Sequence, residues 1–450
     1  MRPYWLSMLP LGSAAVAYAV RQRRRLAIGL CVVTALACAA IAVSMLPNTA
    51  TVFLGQEWAL YPIARPLLAG LYLVTAALLA IAAMTEKGDV FCAPALASTG
   101  LLSATILLRS PLLSCLLLSA ALAVLVLAAF PAATSLQGAS CFLALVTVPI
   151  PFMLGCFTLL ERFALFPDEL ALAGLSALLV VPPIVVWLTL FPLHSVTRLW
   201  AAKGVPLAPA FLWIVKDWVV VYLLFTLWCQ YPVLHSETAT ALLGIAGLAT
   251  ALVSGVWAYL QSNPAALLAC AAMSELGIAW QGIMSGSTDG VVGGLSLLMS
   301  RAAAILLACS ALTALCGNLS AYEAPIQGLS SRRKGFLLLA FAVGILALTG
   351  LPPLVGFWGR RQIYAALQPQ GLYLLLTWLS ATFGIVLGLV RTVWTLWHAQ
   401  VESSSEHSLT LPLFLVLAFL LLCLWLNAYP QAMQGLASDL ARHLPPLSSL

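Results

Sequence analysis

The feature that most constrains this chain is the recurrence, almost from end to end, of runs of about 20 apolar residues separated by short polar or Pro/Gly-rich gaps. A run of that length closes its backbone hydrogen bonds within one helix and crosses the hydrocarbon layer, so its repetition specifies an all-α polytopic membrane protein. Counting the runs predicts about 14 transmembrane helices. A transmembrane β-barrel is excluded, because it would show shorter segments of alternating polarity. With 63% hydrophobic and 8% charged residues among 450, no segment reads as a soluble domain.

The polar gaps carry the topology. The first run ends in Ala17-Tyr18-Ala19, a superficial match to a signal-peptidase site, but RQRRR at 21–25 follows at once and resists export. The run predicts a retained first helix, a multi-pass protein of a bacterial-type inner membrane, and an N-terminus outside. On a count of about 14 helices, Lys87, Arg198, Lys203 and the SRRK run at 331–334 fall on the same inner side. The net charge of +6 is thereby accounted for by topology, and no basic cluster offers a nucleic-acid footprint. Lipid is the expected surroundings.

The longest polar stretches are GNLSAYEAPIQGLSSRRKG near 317–335, VESSSEH at 401–407 and a short tail after Asn427. All are loop-sized, so any redox cofactor or nucleotide site is expected on another chain, and none in this one. The 11 cysteines are scattered singly through apolar runs without a CxxC spacing, which reads as small core residues and not as metal or cluster ligands.

Two runs are interrupted in the same way. The seventh, at 169–192, reads LVVPPIVVWLTLFPLH with Pro182-Pro183, and the twelfth, at 335–368, reads ALTGLPPLVGFWGRR with Pro352-Pro353, Gly356 and Gly359. A proline pair removes donors and clashes with the preceding turn, which predicts a broken helix. The breaks lie five helices apart, the pattern of internally repeated transporter folds. The expected organisation is three helices in 1–90, a first inverted repeat of helices 4–8 in 91–230, a second of helices 9–13 in 237–399, and a last helix with a tail in 400–450.

An ionised side chain at mid-bilayer costs about 2.5–3.5 kcal/mol even on the lenient scale, so it persists where it faces protein or water. The candidates are Lys216 and Asp217 in helix 8, Glu275 in helix 10, Arg301 in helix 11, and Arg360 beside Arg361 after the second break. Arg65 and Arg109 fall near span ends, where snorkelling accounts for them. Lys216 and Asp217 stand about 100° apart on an ideal helix, which predicts separate partners. Each buried charge reads either as an ion pair fixing helix packing or as a proton-relay group. His194, just after the first break, titrates near neutral pH and reads either as a satisfied loop histidine or as a proton carrier.

Three motifs in order carry a resemblance. FPLHSVTRLWAAKGVPLAPAFLWIVKDW at 191–218, QSNPAALLACAAMSELG at 261–277 and LTGLPPLVGFWGR at 348–360 resemble stretches of the antiporter-like membrane subunits shared by respiratory complex I, Mrp sodium/proton antiporters and membrane-bound hydrogenases. The resemblance covers roughly residues 60–400. It implies a file of buried charged groups that carries protons, driven by redox chemistry in separate hydrophilic subunits or by a cation gradient. It implies that Lys216 matches the central lysine of helix 8 and that Arg360 stands where relatives have Lys or Glu in helix 12. Glu275 stands in place of a histidine, and Arg301 is the cation nearest to the helix 11 site. Trp187 stands where a helix 7 lysine is expected and Ser119 near the expected helix 5 glutamate, so the gating ion pair of the first half is lost. Arginine also releases protons far less readily than lysine.

The resulting expectation is a proton-translocating subunit with a degraded first half-channel, a non-catalytic membrane partner of other membrane and hydrophilic redox subunits. The alternatives are a structural subunit that bridges partners and a free-standing secondary transporter. A membrane-embedded enzyme is the weakest, since no paired carboxylates, His cluster or nucleophile constellation stands in the loops.

Overall fold

The computed structural model describes residues 2–85, 88–126, 137–203, 207–316, 331–368, 371–398 and 410–442. Lys87, residues 317–330 of the first polar stretch and all of VESSSEH lie outside the described residues. The helices are α1 (Trp5–Ala19) and α2 (Arg24–Ser44), then, after a hairpin of β1 (Thr49–Phe53) and β2 (Gln56–Leu60), α3 (Ala64–Ala82), α4 (Gly88–Leu107) and α5 (Pro111–Val126). Next come α6 (Gln137–Thr147), α7 (Pro149–Leu165), α8 (Leu170–Leu188) and a short α9 (His194–Lys203). α10 (Leu207–Phe211) runs through a π-helical turn, Leu212–Lys216, into α11 (Asp217–Gln230). The remainder is α12 (Glu237–Ala258), α13 (Pro264–Ile283), α14 (Thr288–Cys316), α15 (Ser331–Leu348), α16 (Phe357–Leu367), α17 (Leu372–His398), α18 (Thr410–Ala428) and α19 (Pro430–Arg442).

Among the described residues, 11 helical stretches are long and apolar enough to cross a membrane. α1 and α5 are apolar but shorter, and α15 with α16 fills the expected twelfth run as two half-helices. The chain packs as two compact units. Unit 1 comprises Met1–Ala83, Lys87–Thr189 and Val215–Leu243; unit 2 comprises Met84–Glu86, Leu190–Ile214 and Gly244–Leu450. The segment 190–214 joins unit 2 because α9 packs on α13, where Asn263 caps α13 and donates to the Ala202 carbonyl at 3.2 Å.

In unit 1 the expected break is displaced. Pro182 and Pro183 both lie inside α8, and the helix ends seven and six residues later at Thr189, in the left-handed region at φ 55° and ψ 41°. Within a packed bundle, neighbouring groups satisfy the carbonyls that the prolines orphan, so a proline pair need not stop the helix. The β-branched Thr189 at positive φ is a strained conformation that surrounding packing must hold. The hairpin is a feature that the pattern of apolar runs does not anticipate. Its strands pair antiparallel, from Thr49 opposite Leu60 to Phe53 opposite Gln56, and its turn at Leu54-Gly55 takes positive φ at both central residues. It also changes the reading of Arg109, which pairs with Glu57 of β2 at 2.8 Å on the exposed surface and does not simply snorkel. Arg65 donates to the Val43 carbonyl in the last turn of α2.

In unit 2, α13 and α14 are almost wholly buried, as central helices of a membrane bundle must be when they carry polar groups. The tail after Asn427 contains an amphipathic helix: Met433, Ala437 and Ala441 of α19, four residues apart, are buried, and α19 packs against α14. Of ten cysteines described, eight are buried, as small core residues are.

Candidate functional site

Each of the six charged or titratable side chains singled out from the sequence is buried. Lys216, Asp217 and Glu275 have no exposed surface, Arg301 and Arg360 have 1%, and His194 has 6%. Arg361 is exposed, its guanidinium 5.8 Å from the Trp358 ring centre, in keeping with a plain interfacial charge.

Unit 1 holds Lys216 and Asp217. The expectation of separate partners fails: Lys216 Nζ lies 2.9 Å from Asp217 Oδ1, a salt bridge between consecutive residues. Lys216 ends the π-helical turn and Asp217 opens α11, so the ideal 100° spacing does not apply, and the four-carbon lysine stem bends back to its neighbour. Nζ also donates to Thr189 Oγ1 at 3.5 Å, and that hydroxyl in turn donates to the Leu188 carbonyl at 2.6 Å. The strained left-handed residue at the end of α8 is therefore the hydroxyl partner of the buried ammonium. Just before it on α8, Trp187 Nε1 donates to Ser119 Oγ of α5 at 3.3 Å, with both side chains buried. The two positions at which the resemblance expects a lysine and a glutamate do touch, but through a neutral hydrogen bond.

Unit 2 holds Glu275, Arg301 and Arg360, on α13, α14 and α16. The break between α15 and α16 falls at the GLPPLVG stretch, where the sequence places it; the Thr349 and Gly350 N–H groups meet the Ile345, Leu346 and Ala347 carbonyls, and the Leu348 carbonyl, the last of α15, takes a side-chain donor. Arg360 reaches back across it: Nη2 donates to the Leu348 carbonyl at 3.1 Å and Nη1 to Thr382 Oγ1 of α17 at 3.1 Å. Gly350 turns the chain at φ +63°, and its bare Cα makes room for the Arg360 stem. Gly356 serves a similar purpose: a Cβ there would lie 2.5 Å from the Ala347 carbonyl oxygen and 3.3 Å from Glu275 Oε1. Glu275 thus faces the break, and neither of its carboxylate oxygens has a hydrogen-bond partner among the described residues. Among the described residues, Arg360 and Arg301 are the charges that act on it. Gly359 packs α16 against Gly293 and Leu297 of α14.

His194, also in unit 2, opens α9. Its ring stacks on Phe191 at 5.7 Å and meets Trp257 edge-on at 6.0 Å, and Arg198 lies over the same Trp257 ring at 4.6 Å. Burial, and secondarily the Arg198 charge, hold the imidazole below its ordinary pKa of 6.5, so it is neutral at physiological pH. Among the described residues no three His, Cys, Asp or Glu side chains gather as metal ligands would.

Sequence reading missed the Thr189 hydroxyl, the Thr382 hydroxyl and the Leu348 carbonyl. No local signal marks the last two, which lie 22 residues after and 12 before the arginine they bind. Thr189 could have been suspected from its place between the helix and the FPLH motif.

A family model described as NADH:quinone oxidoreductase/Mrp antiporter, TM, matches residues 128–388. Subunit N of the NADH-quinone oxidoreductase of Heliobacterium modesticaldum is 26% identical over 216 residues, which cover 46% of this chain and 44% of that one. The matched stretch spans less than half the length of such curated relatives. The fold is similar along nearly the whole chain to one in respiratory complex I from Thermus thermophilus with bound NADH, with a TM-score of 0.76 at 20% identity, covering 98% of this chain and 99% of that one. It is similar also to a chain of the Mrp complex from Dietzia sp. DQ12-45-1b, with a TM-score of 0.79 at 16% identity and coverage of 98% and 97%.

Proposed function

The chain belongs to the NADH:quinone oxidoreductase/Mrp antiporter transmembrane family, and on that premise we propose that it is a proton-translocating, antiporter-like membrane subunit of a complex I-like or related ion-translocating complex. The observation that carries the reading is the burial of Lys216, Asp217, Glu275, Arg301 and Arg360 inside packed units, away from the lipid-facing surfaces where their cost would be prohibitive. Bulk structural roles do not require so many ionisable groups at such depth. The electron donor and any cofactor belong to hydrophilic redox subunits in this reading, and the chain's own contribution is the membrane path.

The Trp187–Ser119 hydrogen bond supports a degraded first half-channel, since neither group exchanges a proton near neutral pH. The inverted repeats, with breaks after α8 and after α15, and an N-terminus outside, with Arg21–Arg25 and Arg332, Arg333 and Lys334 on the inner face, complete the proposal.

A scaffold that bridges partners without conducting is the second reading, and the same Trp187–Ser119 bond favours it. Extraction in mild detergent followed by native sizing tests membership of a complex. The proposal expects co-migration with other membrane chains and with soluble redox or cation-coupled subunits; a stable monomer with no companions contradicts it and leaves the free-standing transporter.

A further inference from the structure

We infer that in unit 2 the proton is exchanged by Glu275, and that Arg360 is a positioning cation that closes the broken helix and exchanges none. Arg360 is the residue that the twelfth-helix motif offers as a carrier, but its geometry is that of a cap. Both terminal nitrogens are committed, one to a carbonyl at the end of α15 and one to a hydroxyl on α17, and its stem lies on a glycine that the chain turn requires. A guanidinium stays protonated at any pH the protein meets, and its planar fork suits a fixed bridge between two acceptors.

Glu275 has the opposite character. It is fully buried, faces the break beside Gly356, and has two oxygens without hydrogen-bond partners among the described residues. A buried carboxylate so placed is sustained only when a proton or a water meets it. Of the elements packed on α13, α14 supplies Arg301 and α16 supplies Arg360, and among the described residues these two are the charges acting on the carboxylate. Uptake converts the carboxylate to the carboxylic acid with one proton from water, and release reverses it; no other bond changes.

The assignment rests on the reading of the chain as a proton-conducting subunit, but its test does not. The measurement is pH-dependent infrared difference spectroscopy of the carboxyl stretch on the intact complex in detergent, for the wild type and Glu275→Gln, Arg360→Gln, Arg360→Lys and Arg361→Gln. The expected result is a titrating carboxyl band lost in Glu275→Gln, displaced by about one pH unit or more in Arg360→Gln, restored toward wild type in Arg360→Lys, and unmoved in Arg361→Gln. A spectrum in which Glu275→Gln removes no band overturns the role of Glu275. A band indifferent to both Arg360 variants overturns the role of Arg360. If Arg360→Gln does not assemble, Thr382→Val decides in its place: freeing the guanidinium from α17 must displace the band, and an unmoved band overturns the role of Arg360. A complex that shows the band but transports no protons contradicts the proposed function and leaves this assignment standing.

Discussion

In unit 1 the buried ammonium of Lys216 finds its carboxylate on the next residue, 2.9 Å away. In unit 2 the buried guanidinium of Arg360 is held by a carbonyl and a hydroxyl, and the nearby carboxylate of Glu275 is left without a hydrogen bond among the described residues. The first arrangement is an ion pair between neighbours in contact, with the Thr189 hydroxyl as a further acceptor for the ammonium. The second keeps cation and carboxylate apart: the guanidinium spans the end of α15 and a hydroxyl of α17, and the carboxylate faces the break. Burial alone therefore does not say what an ionisable residue does; the identity of its contact atoms does.

The largest effect that would sharpen this contrast comes from breaking the Lys216–Asp217 pair. Asp217→Asn removes the carboxylate in contact with a fully buried ammonium and is expected to destabilise the protein by about 3–5 kcal/mol. Thermal unfolding in detergent should show most of that loss recovered when Lys216→Met is added, since the charge is then gone. Equal instability of the single and double variants would mean that the two residues do not act as a pair.

The next effect probes the cap in unit 2. Thr382→Val deletes one of two hydrogen bonds to the Arg360 guanidinium and should cost about 1.5–3 kcal/mol by the same assay. A change within error would show that the guanidinium is not anchored to α17. Ser119→Ala is expected to cost less, about 0.5–1.5 kcal/mol, because the bond it removes from Trp187 is neutral. A loss as large as that of Asp217→Asn would contradict the view that α5 and α8 no longer share an ion pair.

The smallest effect concerns His194. Its folded-state pKa is lowered, so as pH falls through 6.5 the unfolded chain takes up a proton that the folded chain refuses, and stability declines until the lower folded value is reached. Replacing His194 with Asn should flatten that acid-side decline while leaving stability above pH 7 little changed in its pH dependence. An unaltered slope in His194→Asn would assign the acid sensitivity elsewhere.

Much of this was legible in the sequence, for reasons that differ by element. Spans follow from length and apolarity, and the rarity of charge in lipid is enough to mark Lys216, Asp217, Glu275, Arg301 and Arg360 as interior. The break at Pro352-Pro353 was legible because glycines at 350 and 356 accompany the prolines. The pair at 182–183 has no such company, and α8 runs through it to Thr189. The Lys216–Asp217 contact was hidden because angular arguments assume 3.6 residues per turn, and a π turn ends at Lys216. The hairpin and α19 carried local signals, a glycine turn at Leu54-Gly55 and a four-residue spacing from Met433 to Ala441, that the pattern of 20-residue apolar runs does not express.

The central claim is that buried ionisable groups in this chain move protons. Its most direct test is proton uptake into vesicles containing the intact complex with Lys216→Met, measured against the wild type at equal incorporation. The account predicts coupled uptake lower by about tenfold or more; uptake indistinguishable from wild type would contradict the claim by showing that the buried Lys216 moves no proton.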